Sequence, residues 1–313
     1  MKRLAKKTVV GTLMLAALDF GYARAANGKD FCDLSAEAML RSCQTGARAE
    51  NSLAEAKCLN LSSASATRAC RRAAAADLRD AVNTCADQDE ARDVVCTGLG
   101  PAAYDPVINP ANYVAAVTNP YFPLTPGTTF IYEGDTVEGF NHTEFFVTHN
   151  TKVILGVTCV EVHDTVHLDG KLAEDTVDWF AQDAAGNVWY FGENTGELID
   201  GRFVTLDGTF TSGVDGAKPG IIMKAHPALG DFYRQEFALG NAEDLAEVVS
   251  LTDTVTVPYR MAPFTNCLTT TETTPLETSL LENKTYAAGV GNVLTVDLNT
   301  GDRLELIQIT TAP

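Results

Sequence analysis

Six cysteines near the N-terminus constrain the fold of this chain most strongly. They stand at positions 32, 43, 58, 70, 85 and 96, so the intervals of 11, 15, 12, 15 and 11 residues read the same in both directions. The flanking segments are rich in Ala, Arg and Glu, which favour helix. Two helical positions 11 residues apart lie about 16 Å apart, whereas a disulfide needs Cα atoms within about 7 Å. Neighbouring cysteines therefore cannot pair within one helix.

A palindromic spacing is typical of an antiparallel helical hairpin, here with its turn at "LNLSSASATR". It predicts the nested disulfides Cys32–Cys96, Cys43–Cys85 and Cys58–Cys70, one of the 15 pairings that six cysteines allow. Gly46 offers an alternative, because a break there would give a knot of three or four shorter helices. We expect residues 26–100 to be a structural cap, a spacer or a docking element for an envelope protein.

The first 25 residues have the pattern of a secretory signal peptide. A basic start, "MKRLAKK", precedes the apolar run "TVVGTLMLAA" and the cleavage-like "ARA", so we expect maturation near Ala26. No later segment is apolar for long enough to cross a bilayer. The sequence therefore predicts a secreted or periplasmic protein without a membrane span.

The acidity of the chain limits its partners. Removal of residues 1–25, which hold five basic side chains and one acidic one, takes the net charge from −18 to −22. Such a charge argues against nucleic acid and against anionic membrane surfaces, because both would repel it. It suits a cation or a neutral small molecule, although acidity also serves solubility alone.

The rest of the chain has the pattern of a β domain. Residues 101–127 contain six prolines and are expected to form a linker, because proline excludes long helices. Residues 128–313 alternate short runs of Val, Ile, Thr, Phe and Tyr with Gly, Asn and Asp turns, which predicts a mostly antiparallel barrel or sandwich. The fold class is therefore α+β. The even number of cysteines predicts a further disulfide, Cys159–Cys267.

One stretch of this domain, "CVEVHDTVHLDGKLAEDTVDWF", concentrates ionisable and aromatic side chains. Asp169–Gly170 predicts a two-residue hairpin turn between its two halves. An unbroken register from that turn places Glu161 opposite Asp178 and His163 opposite Thr176. The two carboxylates would then be about 5 Å apart at Cβ.

A second hairpin follows through the loop "DAAGN". Its predicted register places Thr176 opposite Glu193 and Phe180 opposite Trp189. The resulting sheet face is acidic at one end and aromatic at the other, which is typical of a wall that faces a ligand. A solvated sheet face with scattered aromatic residues is the alternative, and a β-bulge would exchange the two faces.

These patterns define the candidate site. Arg234, in "DFYRQEF", is added because an arginine inside a barrel can clamp a carboxylate. Glu161, His163 and Asp178 are candidate ligands of a divalent cation, the only cofactor that the sequence suggests. The candidate ligand-binding residues are Glu161, His163, Asp178, Trp189, Glu193 and Arg234.

The leading hypothesis for function is binding of a small ligand or a divalent cation on a β barrel. The alternatives are a metal- or carboxylate-dependent enzyme, with a raised-pKa carboxyl as the general acid, and a structural or envelope-interaction protein. Motifs of nucleotide binding, of serine hydrolases and of zinc proteases do not occur in the sequence.

Four runs of the β domain resemble a widespread group of exported bacterial proteins of uncharacterised function. The runs are "NPYFPLTPGTTFIYEG", "DGKLAEDTVDWFAQDAAGNVWYFGE", "GVDGAKPGIIM" and "GDFYRQEF", and the resemblance covers about residues 110–313. It implies a secreted β domain and supplies no catalytic residues. The cysteine-rich segment is an addition to that domain.

Overall fold

The computed structural model describes residues 30–312, so the predicted signal peptide lies outside the described residues. Two helices, α1 (Phe31–Leu59) and α2 (Ala64–Leu99), precede a nearly closed antiparallel β barrel. The predicted α+β class, with a helical hairpin before a barrel, is confirmed.

The hairpin begins and turns at capping residues. The side chain of Asp30 accepts a hydrogen bond from the backbone N–H of Asp33 at the start of α1. Ser63 accepts from the N–H of Ala66 in the same way and so starts α2. Gly46 lies inside the continuous helix α1, so the alternative of three or four shorter helices is wrong.

The three predicted disulfides of the hairpin are confirmed. Cys32–Cys96, Cys43–Cys85 and Cys58–Cys70 join the two helices at Cα–Cα distances of 5.5, 5.7 and 5.5 Å. Disulfides of this kind persist in oxidising compartments, so they indicate that the protein works outside the cytoplasm. No helix within residues 30–312 is long and apolar enough to cross a membrane.

Eighteen strands follow within the described residues. In chain order they are β1 (Tyr113–Val114), β2 (Val117–Asn119), β3 (Phe122–Leu124), β4 (Thr128–Thr136), β5 (Gly139–Ile154), β6 (Val157–Leu168), β7 (Lys171–Asp183), β8 (Val188–Ile199), β9 (Arg202–Thr205), β10 (Phe210–Thr211), β11 (Lys218–Met223), β12 (Phe232–Arg234), β13 (Glu236–Phe237), β14 (Leu245–Val255), β15 (Phe264–Thr273), β16 (Glu282–Ala287), β17 (Gly291–Asp297) and β18 (Arg303–Thr311).

The strands form one large sheet that curls on itself. Its order is β12-β14-β15-β16-β17-β18-β4-β5-β6-β7-β8-β11-β13. The two strands at the ends of this order, β12 and β13, are separated in the chain by Gln235 alone, so the sheet nearly closes into a barrel. A barrel has few free edges, which protects it from pairing with other chains.

A separate two-stranded hairpin, β2–β3, covers one end of the barrel. Gln182 accepts hydrogen bonds from the backbone N–H groups of Thr118 and Asn119, at 2.7 and 2.8 Å. Phe122 packs edge-on against Phe180, with ring centroids 5.2 Å apart. We call residues 117–124 the plug, because Phe122, Pro123 and Leu124 line that end of the interior.

The segment predicted as a linker is fixed to the outside of the barrel. Tyr113 pairs with Asp183 through β1 and β7. The hydroxyl of Tyr104 donates to the carbonyl of Pro219 at 2.8 Å. This segment covers a small apolar cluster on the outer face of the barrel, which is separate from the main core inside.

The predicted Cys159–Cys267 disulfide is wrong, because both cysteines are free thiols. Cys159 lies in β6 and packs into the outer cluster, whereas Cys267 lies in β15 and packs into the main core. Five strands separate β6 from β15 in the sheet order. An even number of cysteines therefore says nothing about whether the last two meet.

The hairpin is joined to the barrel through a buried ion pair. The guanidinium of Arg92 contacts the carboxylate of Glu243 through Nη2–Oε1 at 2.6 Å and Nε–Oε2 at 3.1 Å. Gln88 donates to the carbonyl of Leu276 at 2.8 Å nearby. Both contacts come from the C-terminal third of α2, so that part of the hairpin is its base.

Candidate functional site

The interior of the barrel contains a cavity of about 470 Å³. Alternating residues of each strand point inward. The chemical character of these inward side chains changes along the axis of the barrel. Near the plug the lining is apolar and aromatic. Towards the other end it is dominated by carboxyl groups.

The apolar end follows from the plug and the strand ends around it. Phe122 of the plug contacts Phe145 and Phe180 edge-on, at centroid distances of 6.3 and 5.2 Å. Phe180 in turn stacks on Tyr190, with centroids 4.6 Å apart. These rings form an aromatic floor that would bury the apolar part of a ligand.

The acidic end collects seven carboxyl groups from six segments of the chain. Among the described residues that line the cavity, Lys284 is the single basic side chain. The seven carboxyl groups belong to Asp164, Glu174, Asp178, Glu236, Asp244, Glu272 and Glu282.

Lys284 and Glu272 neutralise each other. The ammonium of Lys284 lies 2.7 Å from Oε2 of Glu272, and Oε1 accepts from Gln235, Thr270 and Tyr286 at 3.0–3.2 Å. Burial alone would lower the pKa of Lys284, but the surrounding carboxylates outweigh burial and raise it. The ammonium therefore stays charged, and six carboxyl groups remain without a cationic partner in the cavity.

Several of these carboxyl groups are held partly neutral. Burial, reinforced by the negative charge of neighbouring carboxylates, raises the pKa of Asp164 and of Glu236 well above the usual range. Burial raises the pKa of Asp244 to about 6, with Lys284 acting in the opposite direction. A cation in the cavity would favour the ionised form of all three.

Tyr190 bridges Asp178, one of these seven groups, and the neighbouring carboxyl group of Glu193. Its hydroxyl contacts Oδ1 of Asp178 at very short range and Oε2 of Glu193 at 3.0 Å. A phenol has one hydrogen to donate, so the second hydrogen bond requires a proton on a carboxyl group. Burial raises the pKa of Glu193 to about 8 and that of Asp178 to about 7. One carboxyl group of this pair therefore carries a proton, and Tyr190 donates its own hydrogen to the other.

The Asp169–Gly170 turn has the predicted form, with φ values of 50° and 77°. The register also begins as expected, with His167 opposite Leu172. It then shifts, because Val166 pairs with Glu174 and Ala173 is an extra residue in β7. This β-bulge exchanges the faces of the rest of β7 relative to β6.

The predicted pairing of Glu161 with Asp178 is therefore wrong. Glu161 is opposite Trp179, and Asp178 is opposite Val162. Asp178 points into the cavity, whereas Glu161 lies on the outer face and accepts from the indole N–H of Trp179 at 3.4 Å and from Asn150 at 2.9 Å.

His163 shares the outer face rather than the cavity. It is opposite Val177 rather than Thr176, and its Nε2 lies 2.7 Å from Oδ1 of Asp175. The predicted cation site of Glu161, His163 and Asp178 is consequently split across the barrel wall. Among residues 30–312, no group of three or more His, Cys, Asp or Glu side chains is placed to hold a metal ion.

The second predicted register shifts as well. Asp178 is opposite Glu193, where the sequence register placed Thr176 opposite Glu193. Thr176 instead pairs with Thr195. The two carboxyl groups that do meet across neighbouring strands are therefore those of Asp178 and Glu193.

Trp189 and Arg234 lie away from the cavity. Trp189 is opposite Ala181, not Phe180, and its indole N–H donates to Asp183 at 2.9 Å beside the outer cluster. The buried guanidinium of Arg234 lies 4.8 Å from the ring centroid of Phe237, outside the cavity lining. Neither side chain shares a site with Asp178.

Sequence reasoning missed most of the acidic end. The predicted site residues do not include the cavity carboxyl groups of Asp164, Glu236, Asp244, Glu272 and Glu282. One signal was available: in "ENKTYA", Glu282, Lys284 and Tyr286 alternate on one strand face. Charged and aromatic residues in such alternation indicate a polar barrel interior.

No protein-family model, characterised protein or solved structure matches this chain.

Proposed function

We propose that this exported protein binds a small organic cation inside its barrel, with the apolar part of the ligand towards the plug. The observation that carries the proposal is the cavity of about 470 Å³, aromatic at one end and lined by seven carboxyl groups against one ammonium. Its size is in the range of small-molecule sites.

The electrostatics of the cavity favour a positively charged ligand. Uncompensated carboxyl groups inside a protein are costly when ionised, and they are relieved by protonation or by a cation. Asp164, Glu236 and the Asp178–Glu193 pair have raised pKa values in the protein as it stands. An ammonium or guanidinium group placed among them would replace those protons with direct ion pairs.

The aromatic floor supports an organic cation over a bare metal ion. A metal ion needs several ligand atoms around one point. The rings of Phe122, Phe145 and Phe180 offer no such atoms. An amine with a hydrocarbon or aromatic body uses both ends of the cavity. Cation–π attraction to Tyr190 or Tyr286 would add to the ion pairs.

Export and family membership are parts of the same proposal. The disulfide-linked hairpin suits an oxidising space, and the signal-like residues 1–25 supply a route to it. The resemblance to exported bacterial β proteins agrees with this assignment.

The test compares three probes of similar shape: 2-phenylethylamine, 2-phenylethanol and phenylacetate. NMR titration and thermal denaturation should detect the amine well before the alcohol, and should not detect the anion. At 100 times its Kd the amine should stabilise the protein by about 2.7 kcal/mol. Equal responses to amine and alcohol, or a response to neither, would contradict the proposal.

Two matched pairs of variants locate the site. Glu236→Gln removes a carboxyl group from the cavity, whereas Glu247→Gln removes an exposed one from the outside of β14. Val166→Phe narrows the cavity, whereas Thr165→Phe adds the same ring on the other face of β6. Binding of 2-phenylethylamine should weaken in the first member of each pair only.

A further inference from the structure

The charges of the helical hairpin are segregated along its length. We call residues 48–72 the hairpin tip; it carries five basic side chains and two acidic ones. The remaining described part of the hairpin, residues 30–47 and 73–99, carries nine acidic and three basic side chains. A basic end therefore stands on an acidic stem, in a chain whose net charge is −18.

The basic groups of the tip are exposed and lie on the parts of α1 and α2 that adjoin the turn. They belong to Arg48, Lys57, Arg68, Arg71 and Arg72, and all five side chains are open to solvent. The disulfide Cys58–Cys70 ties the helices together at this point. The basic groups are thus held on one rigid end of the molecule.

Exposed leucines accompany these charges. Leu53, Leu59 and Leu61 are 58%, 64% and 42% exposed; Leu59 ends α1 and Leu61 lies in the turn. Scattered exposed leucines are ordinary on a protein surface. Leucines at a turn between two helices that carry Arg and Lys have the chemistry of segments that enter the interface of an anionic bilayer.

The acidity of the barrel does not cancel the charge of the tip. Gln88 marks the start of the contact with the barrel, and Arg72 lies 16 residues before it, about 24 Å along the helix. At physiological ionic strength the Debye length is about 8 Å. An approaching surface therefore meets the local positive charge of the tip, whereas the total charge of the chain would suggest repulsion.

We propose that the hairpin tip docks the protein on an anionic phospholipid surface, with Leu59 and Leu61 entering the headgroup region and the basic side chains contacting lipid phosphates. The hairpin then acts as a stalk that holds the barrel away from the membrane. An acidic protein or a second copy of this chain would offer negative charge too, but the exposed leucines at the turn favour lipid.

The test uses the full mature protein and vesicles of phosphatidylcholine with or without phosphatidylglycerol, measured by flotation. Binding should require phosphatidylglycerol and should fall steeply with added salt. Arg71→Gln/Arg72→Gln should lower the partition coefficient roughly 25-fold, at about fivefold per charge. Leu59→Ser/Leu61→Ser should lower it by roughly tenfold.

The matched control is Lys171→Gln/Arg202→Gln, which removes two exposed positive charges from the barrel; it should change the partition coefficient less than twofold. Helical circular dichroism checks that each variant keeps its hairpin. The proposal is overturned if Arg71→Gln/Arg72→Gln and Lys171→Gln/Arg202→Gln lower the partition coefficient equally. It is also overturned if the protein binds equally well to vesicles without phosphatidylglycerol. A third result would overturn it as well: sedimentation shows that Arg71→Gln/Arg72→Gln converts a dimer to monomers, while neither the parent protein nor this variant binds vesicles.

Discussion

Across the helical hairpin eight side chains are buried, and four of them are cysteines. The barrel, in contrast, buries a continuous cluster of 26 residues in its main core and leaves its own two cysteines as thiols. The hairpin has too little apolar surface to hold two long helices together, so covalent links limit its unfolded state instead. The barrel has a core large enough to tolerate ionisable groups inside it.

This difference determines which side chains each region can devote to function without losing its fold. Side chains of the hairpin point almost entirely to solvent and are free to vary in charge, because the disulfides, not the sequence between them, hold the helices. The barrel accepts the cost of seven cavity carboxyl groups because its apolar burial elsewhere is extensive.

Reduction of the disulfides should separate the two regions most completely. The loops they close span 64, 42 and 12 residues, and chain entropy assigns about 4 kcal/mol to the longest and about 3 kcal/mol to the shortest. Reductant should abolish the helical circular dichroism of the hairpin. Both tryptophans, Trp179 and Trp189, lie in the barrel, so their fluorescence should keep its native spectrum.

A control for that experiment is Cys159→Ala/Cys267→Ala, which leaves every disulfide in place. Its barrel should be destabilised slightly and its hairpin should respond to reductant as before. Loss of the native tryptophan spectrum on reduction of the parent protein would mean that the barrel depends on the hairpin for its fold.

Arg92→Met should have the next largest effect, because it removes the ion pair that joins the helical hairpin to the barrel. It leaves the carboxylate of Glu243 buried without its partner, at a cost of about 3–5 kcal/mol. Arg92→Met/Glu243→Met removes both charges and should regain most of that loss. Denaturant unfolding followed by tryptophan fluorescence measures all three proteins.

The exposed pair of Arg41 and Glu37 is the matched comparison, with side chains 68% and 65% accessible. Arg41→Met should cost at most about 0.5 kcal/mol, because exposed ion pairs contribute little. Similar losses for Arg41→Met and Arg92→Met would show that burial is not what makes the joint strong.

Glu193→Gln should have the smallest effect and should appear in the pH dependence of the barrel. The folded pKa of Glu193, about 8, lies above its ordinary value of 4.5, so the folded state binds this proton more tightly. Its contribution to stability is complete below pH 4.5 and is lost as the pH rises through 8. Glutamine stays neutral at every pH. The decrease in the free energy of unfolding between pH 5 and 9 should therefore be smaller in Glu193→Gln by on the order of 2 kcal/mol.

The control on the same strand is Glu197→Gln, whose side chain is exposed. Thermal denaturation across this pH range should give it the profile of the parent protein. A Glu193→Gln profile that is also unchanged would mean that Glu193 is ionised beside Tyr190 in the folded state, against the shared-proton arrangement.

The same contrast explains how far the sequence could predict the structure. In the hairpin the spacing of six cysteines is tied to helix geometry, and the nested pairing followed from it. Cys159 and Cys267 gave no such spacing, only an even count, and they lie on strands that never meet. An even number of cysteines contains no information about distance, so it could not predict whether these two form a disulfide.

The candidate site failed because both predicted strand registers, β6–β7 and β7–β8, are wrong. The turn at Asp169–Gly170 was correctly placed, but Ala173 is bulged and every side chain of β7 beyond it changes face relative to β6. Nothing in the local sequence distinguishes Ala173 from its neighbours. Carboxyl groups such as Glu236 and Glu272 then reach the cavity through barrel closure, which joins segments remote in sequence.

The two buried thiols have a consequence for the maturation of the protein. A thiolate attacks an existing disulfide, so an accessible cysteine would reshuffle the three bonds of the hairpin. Cys159 and Cys267 are fully buried, and burial raises the pKa of Cys159 to about 12, which keeps it from acting as a nucleophile. Closure of the barrel therefore ends the period in which wrong pairings can form, and the barrel acts as the lock on the hairpin's covalent pattern.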